Sequence, residues 1–417
     1  MELAELDRRY LLHPHSRVGS PMPPLIIDRG SGARLWDVDG REYVDGTCGL
    51  WQCAVGHGRA ELAGVAAEQI GRLEFFSSFG DYTNEPAIRL AERLVRLAPE
   101  GIRRVFFTNG GSEGTETAVK LARLARHHAG QPGRNIILAR TAGYHGMGAG
   151  SLAVTGIDRL RAGFGPLAPG VEFVGKPHGS DAADRLVAEL EERIERIGAE
   201  RIAAFIGEPV LGVGGMVPPP EGYWPRVREV LDRHGIWLIA DEIVTAFGRT
   251  GHWFASEHYG MRPDMIITAK GLSSGYVPMG AVLIGERVLR AAEGVEFAHG
   301  FTYNGHPVGA AVALANLDIL EREELPARAR SVGDRLLRAL EPLEELPHVL
   351  EVRGVGLMLG VELDRDAASV QDGARTDGVI VRAAGACIVL SPPLVISEPD
   401  VDTLAEVLSK HVIAAGH

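Results

Sequence analysis

Asp241 and Lys270 close two short apolar runs, Trp237-Leu-Ile-Ala-Asp241 and Asp264-Met-Ile-Ile-Thr-Ala-Lys270. Runs rich in Ile and Leu and bounded by turn residues read as strands buried on both faces of a parallel sheet, so a charge at each tip needs a reason. In open α/β sheets ligands bind outside the carboxyl ends of the strands, and the two side chains are expected to project into one crevice. A lysine in such a half-dry site loses ammonium solvation, its pKa falls, and its free amine can condense with an aldehyde. A carboxylate fixed at the far end of the same ligand would keep a pyridine nitrogen protonated and make the ring an electron sink. Taken singly, a helix-capping Asp and a solvated strand-end Lys are the simpler readings. As a pair they need something between them.

A third stretch supplies a place for a phosphate. Val105-Phe-Phe-Thr108 leads into Asn109-Gly110-Gly111-Ser112-Glu113 and then an amphipathic run, which reads as strand, glycine turn and helix. Such a turn exposes backbone N–H groups at the positive end of the helix dipole, and Ser112 adds a hydroxyl. The spacing is neither GxGxxG nor a Walker A, so nucleotide readings fail. Alone, the turn reads more simply as a helix start without a ligand; beside an amine and a carboxylate in these roles, it offers the place for the phosphate of pyridoxal 5′-phosphate, PLP.

On these residues the chain resembles the class III aminotransferases, PLP enzymes of fold type I, over nearly its whole length. The similarity rests on Asp241-Glu242, Lys270-Gly271, the turn at 108–113, Glu208-Pro209 and Pro392-Pro393. It implies an α/β architecture: a large PLP-binding domain at 60–310 around a mainly parallel seven-stranded sheet, and a small α+β domain made of an N-terminal arm and strands (1–59) and of 311–417. Lys270 and Asp241 are the catalytic pair by this likeness. Gly111, Ser112, Tyr144, His145, Glu208, Ile243 and Thr302 are the further cofactor-binding residues. Tyr144 takes one ring face, Ile243 the other, and Thr302 reaches the phosphate of a neighbouring subunit. Trp51, Phe79 and Tyr82 wall the substrate pocket, partly across that interface, and Arg382 binds a substrate carboxylate, for which a guanidinium fork is suited. Two departures matter. Gly110 stands where the family commonly has Ser, and Val213 where relatives using ornithine or 4-aminobutyrate commonly have Glu; the second favours an omega-amine:pyruvate subgroup.

Composition bounds the rest. The chain has 417 residues, 45% apolar, and a net charge of −12 with no long basic run. That argues against nucleic acid as a partner. Three cysteines, Cys48, Cys53 and Cys387, show no CxxC spacing and read as thiols of a reducing compartment. The N-terminus has no apolar leader and no run is long enough to cross a membrane, so a cytoplasmic protein is expected. No metal site is expected. Residues 1–24, broken by Pro14, Pro21, Pro23 and Pro24, read as a surface arm. Alternating residues around Asp37-Val-Asp-Gly40 predict a β-hairpin. Residues 179–200 predict an exposed amphipathic helix, and 351–363 a strand. Arg249 is expected to be structural, and 363–378 is shorter than usual in the family.

The expected function is transfer of an amino group from an omega-amine or omega-amino acid to a keto acid such as pyruvate, by a ping-pong mechanism, in an obligate homodimer with shared sites or a tetramer built from it. A decarboxylating transaminase, an aminomutase and a non-catalytic PLP-fold binding protein are the alternatives.

Overall fold

The computed structural model describes residues 2–19, 24–176 and 182–416. Pro21, Pro23 and the first residues of the helix expected at 179–200 lie outside these. The strands, in chain order, are β1 (Ile27–Ser31), β2 (Arg34–Asp37), β3 (Glu42–Asp45), β4 (Ile102–Thr108), β5 (Ile136–Arg140), β6 (Val171–Val174), β7 (Ile202–Gly207), β8 (Trp237–Asp241), β9 (Met265–Thr268), β10 (Gly280–Gly285), β11 (Val349–Val355), β12 (Met358–Leu363), β13 (Val379–Ile380), β14 (Arg382–Ala384) and β15 (Cys387–Leu390). Seven of them form the central sheet in the order β4-β10-β9-β8-β7-β5-β6. Only β10 runs against its neighbours, as expected for a mainly parallel sheet.

Every residue of β5, β7, β8, β9 and β10 is buried. Consecutive side chains point to opposite faces, and both faces are covered. Ile239, Ile267 and Val282 pack with Ala118, Leu121 and Ala122 of helix Gly111–His128. Their neighbours Leu238, Ile266 and Leu283 belong to the larger core shared with Trp224, Val227 and Leu231 of helix Tyr223–Arg233. A large-to-small change at any of these costs about 2–5 kcal/mol, and would disturb the strand tips on which the chemistry sits.

The predicted hairpin is present and larger than expected: β1, β2 and β3 form an antiparallel meander. Its turn is held by Asp37, whose carboxylate accepts from the amides of Asp39 and Arg41. β13 joins β3 in parallel, with Val379 opposite Val44, so the two ends of the chain share a sheet. The third sheet has the order β11-β12-β15-β14. Here the sequence reading needs correction, because 351–363 is two strands rather than one. Gly356 turns the chain at φ +55°, and a Cβ there would lie 2.6 Å from the Arg249 carbonyl oxygen. Without Asn, Asp or Pro at the turn, the apolar run hid it.

Arg249 is structural, as expected. It is buried and donates to the carbonyls of Leu357 (3.1 Å) and Pro392 (2.5 Å) and to Cys48 Sγ (3.2 Å), tying the strand-rich C-terminal segment to the N-terminal turn. All three cysteines are free thiols. The N-terminal arm carries a short helix, Leu3–Tyr10, that buries none of its residues.

Candidate active site

A cavity of about 450 Å³ opens at the carboxyl ends of β8 and β9, and Asp241 and Lys270 both line it. Asp241 ends β8 and is buried. Its Oδ2 takes a 2.6 Å hydrogen bond from His145 Nδ1 and its Oδ1 accepts from the Ile243 amide at 3.1 Å. His145 is itself held through its amide, which donates to Thr155 Oγ1. Buried behind the carboxylate, it orients Asp241 rather than lining the cavity.

Lys270 is displaced from where the sequence placed it. β9 stops at Thr268, and Lys270 follows in a left-handed turn with φ +41°. A strained backbone at a lysine costs energy that a strand end would not, and here it turns the residue into the crevice. Burial pushes its pKa down to about 8, Asp241 and Glu208 pull the other way, and Arg382 adds to the depression. Among the described residues Nζ has no hydrogen-bond or ion-pair partner, so the surface ion pair that would explain Lys270 away is absent. Nζ lies over the neutral Trp51 ring, 5.3 Å from its centre.

Glu208 follows β7. Its two oxygens accept from the amides of Tyr144 (2.9 Å) and Gly212 (2.8 Å), and burial raises its pKa. It thereby pins the loop carrying Tyr144 against the strand tips. Opposite, Ile243 presses on the phosphate-type turn: a Cβ on Gly111 would lie 2.6 Å from Ile243 Cδ1, so only glycine leaves this corner open. Helix Gly111–His128 begins at the turn with no side-chain cap, leaving its first amides without partners in the chain. Ser112 Oγ accepts from the Met147 amide at 3.2 Å and keeps its own proton to donate. Gly146, at φ +121°, brings the Tyr144 loop onto Ser112, and a Cβ there would come within 2.9 Å of Ser112 Cα. At Gly110 a Cβ would meet nothing, so the space of the family's serine is simply open.

These groups fit PLP: a partnerless half-dry amine, a carboxylate fixed by two donors, apolar and aromatic side chains on either side, and unused helix amides at the end. Trp51, Val213 and Arg382 also line the cavity. Arg382 is half-buried at the start of β14, burial lowers its pKa, and no carboxylate among the described residues pairs with it. Phe79, Tyr82 and Thr302 are not brought in. All three are exposed on this chain, and Phe79 lines a separate groove of about 790 Å³ with His299 and Gly300. Among the lining residues that the sequence reading missed are His15 and Arg159. Neither carries a local signal, since one sits in an arm and the other in a polar run.

The family model for class III aminotransferases matches residues 15–412. A thermostable (S)-enantioselective omega-transaminase from Thermomicrobium roseum is 43% identical, with a TM-score of 0.96 over 99% of this chain and 98% of that one. An omega-transaminase from Pseudomonas jessenii in complex with PMP is 36% identical, with a TM-score of 0.97 over 100% and 98%. The putrescine–pyruvate aminotransferase of Pseudomonas aeruginosa is 37% identical over 92% of this chain and 90% of its own length. With a lysine and an aspartate converging on one cavity beside a phosphate-type turn, and with this match along almost the entire sequence, the chain belongs to the class III aminotransferases, enzymes that depend on pyridoxal phosphate.

Proposed function

We propose that this enzyme transfers an amino group from an omega-amine or omega-amino acid to a keto acid such as pyruvate. The observation that carries the reading is the convergence of Lys270 and Asp241 on one cavity that Arg382, unpaired among the described residues, also lines. When bound, PLP supplies an aldehyde that condenses with primary amines and a ring that draws electrons from the bond being broken.

The residues divide the remaining work. Lys270 Nζ, with its pKa lowered to about 8, is partly neutral near pH 7 and would take the proton from the amine-bearing carbon of the donor and deliver it, from the same nitrogen, to the cofactor's carbonyl carbon rather than back to the donor. Asp241 holds its charge toward the ring nitrogen, and His145 fixes its orientation through the 2.6 Å contact. Tyr144 and Ile243 confine the ring between them, while Gly111 and Ser112 receive the phosphate at the helix start. Arg382 receives the carboxylate of the keto acid as a bidentate donor. Val213, apolar, offers it no competing anion, in keeping with donors that lack a carboxylate.

We further infer a homodimer with shared sites. Phe76, Phe79, Tyr82 and Tyr303 are each about half exposed or more, and a second copy covering that aromatic surface would bring Phe79 and Tyr82 toward a substrate and Thr302 toward a phosphate. Residues 60–310 then form the cofactor-carrying unit, and the two chain ends supply Trp51 and Arg382. Among the described residues no helix is long and apolar enough to cross a membrane.

The test is a half-reaction screen of the PLP-loaded protein against a panel of amines, following absorbance as the cofactor passes to its amine form. Conversion is expected with omega-amines and is lost by more than about a thousandfold in Lys270→Ala. Absence of conversion with every amine, together with no borohydride-trapped adduct at Lys270, would overturn the reading.

A further inference from the structure

The buried residues of helix Pro307–Arg322 are Pro, Gly, Ala, Val, Leu and Ile with a single exception, Asn316. That side chain is fully buried. A buried amide among apolar neighbours costs free energy unless its polar atoms are paired, and here only one end of it is. Nδ2 donates to the carbonyl oxygens of Gly271 (2.8 Å) and Leu272 (3.0 Å), whereas Oδ1 receives no hydrogen bond among the described residues. For packing alone a leucine, with similar branching and no polar atom to bury, would serve as well.

The two oxygens belong to the turn that carries Lys270. Lys270–Leu272 is a single 3-10 turn, entered through the left-handed Lys270 at φ +41°. No backbone amide among the described residues reaches either oxygen, the usual situation of the last carbonyls of a helical turn. A residue other than glycine persists in such a conformation only where its surroundings over-determine it. Some of the constraint is local: the Leu272 amide donates to the Ala269 carbonyl at 2.9 Å, and Ser273 Oγ to the Val277 carbonyl at 2.6 Å. Asn316 differs in reaching the turn from a separate element, 44 residues further along the chain than Leu272. It stands behind the turn, outside the lining of the cavity.

We propose that Asn316 is a positioning residue for the reaction: by holding the carbonyls of Gly271 and Leu272, it keeps the Lys270 backbone in its left-handed turn and Nζ inside the crevice. This role rests on the reading of Lys270 as the amine that moves the proton. Without the amide both carbonyls lose their donor, the turn relaxes toward an extended continuation of β9, and Nζ regains water.

Asn316→Leu, which keeps the bulk and deletes both donors, is the first variant, and Asn316→Ala the second. Leu320→Ala, at a buried position one turn along the same helix, reports what loosening the core does by itself. The first readout needs neither cofactor nor substrate. The full-length PLP-free proteins, each checked for fold by circular dichroism, are pulsed with acetic anhydride across a range of pH, and acetylation of Lys270 is followed by peptide mass spectrometry. In the wild type the midpoint of reactivity falls at about 8. In the Asn316 variants it moves up by about one unit as the amine regains water, and in Leu320→Ala it stays. With PLP loaded, the Asn316 variants turn over an omega-amine with a maximal half-reaction rate lowered about thirtyfold and a half-saturating concentration within about twofold of the wild type, because the lysine and not the substrate is displaced. A midpoint unmoved in a folded Asn316 variant, or moved as far in Leu320→Ala, would overturn the proposal. Loss of fold in both Asn316 variants would do the same, by making the residue part of the core alone. If the midpoint moves as expected but the wild type converts no omega-amine, the positioning role stands and the substrate reading falls.

Discussion

At the floor of the cavity Asp241 receives two hydrogen bonds, Glu208 receives two, and His145 is locked behind them. At its mouth Arg382 and Arg159 have no partner at all among the described residues. The floor sits on the tips of buried parallel strands, where packing on both faces leaves side chains one arrangement. The mouth sits on a three-residue edge strand and a one-turn helix, where long side chains stay mobile. The contrast fits two tasks: groups that stabilise developing charge work best when fixed beforehand, whereas a guanidinium that must admit both an uncharged amine tail and a carboxylate works best when free to move.

Variants on either side sharpen this contrast. Asp241→Asn removes the fixed charge at the floor and is expected to slow both half-reactions by about a thousandfold, read by stopped-flow absorbance; a loss confined to one half-reaction would contradict the role. The pH dependence of the PLP-free protein comes next. The folded Lys270 titrates near 8, below its ordinary 10.5, so between those values the unfolded chain holds a proton that the folded chain has released. Stability therefore rises with pH through that window. Relative to Lys270→Met, the wild type carries a burial penalty of about 3 kcal/mol below pH 8 that vanishes by about pH 10.5, measurable by urea unfolding; a flat difference would mean that the amine is not desolvated.

At the mouth, Arg382→Ala is expected to raise the KM for pyruvate about thirtyfold, the loss of one charge-assisted pair, while the amine half-reaction changes less than about threefold. Equal damage to both would erase the distinction between the two ends. Smallest is Gly110→Ser, which places a hydroxyl in open space at the helix start and should tighten PLP binding by about threefold, seen in an equilibrium titration.

Much of the floor was readable from residue order. The apolar runs of β8 and β9, the glycine turn before Ser112 and the Asp37–Gly40 hairpin are local patterns, each set by neighbours a few positions away. Where local signals were weak, the reading slipped: the β11–β12 turn has only Gly356 to mark it, and Lys270 leaves its strand because of a left-handed backbone that no propensity announces. His15 and Arg159 reach the cavity through the path of the chain, not through any motif.

Residue order, with the family resemblance it carries, therefore pointed to the cofactor, to a lysine for it and to the sheet beneath, since strand periodicity and turn chemistry act over short distances. Only the folded chain decided which charges are paired and which are left over, because Arg382, Arg159 and Val213 come from segments far apart in sequence and meet through packing. An ion pair is a matter of position in space, and among the described residues none forms at Arg382.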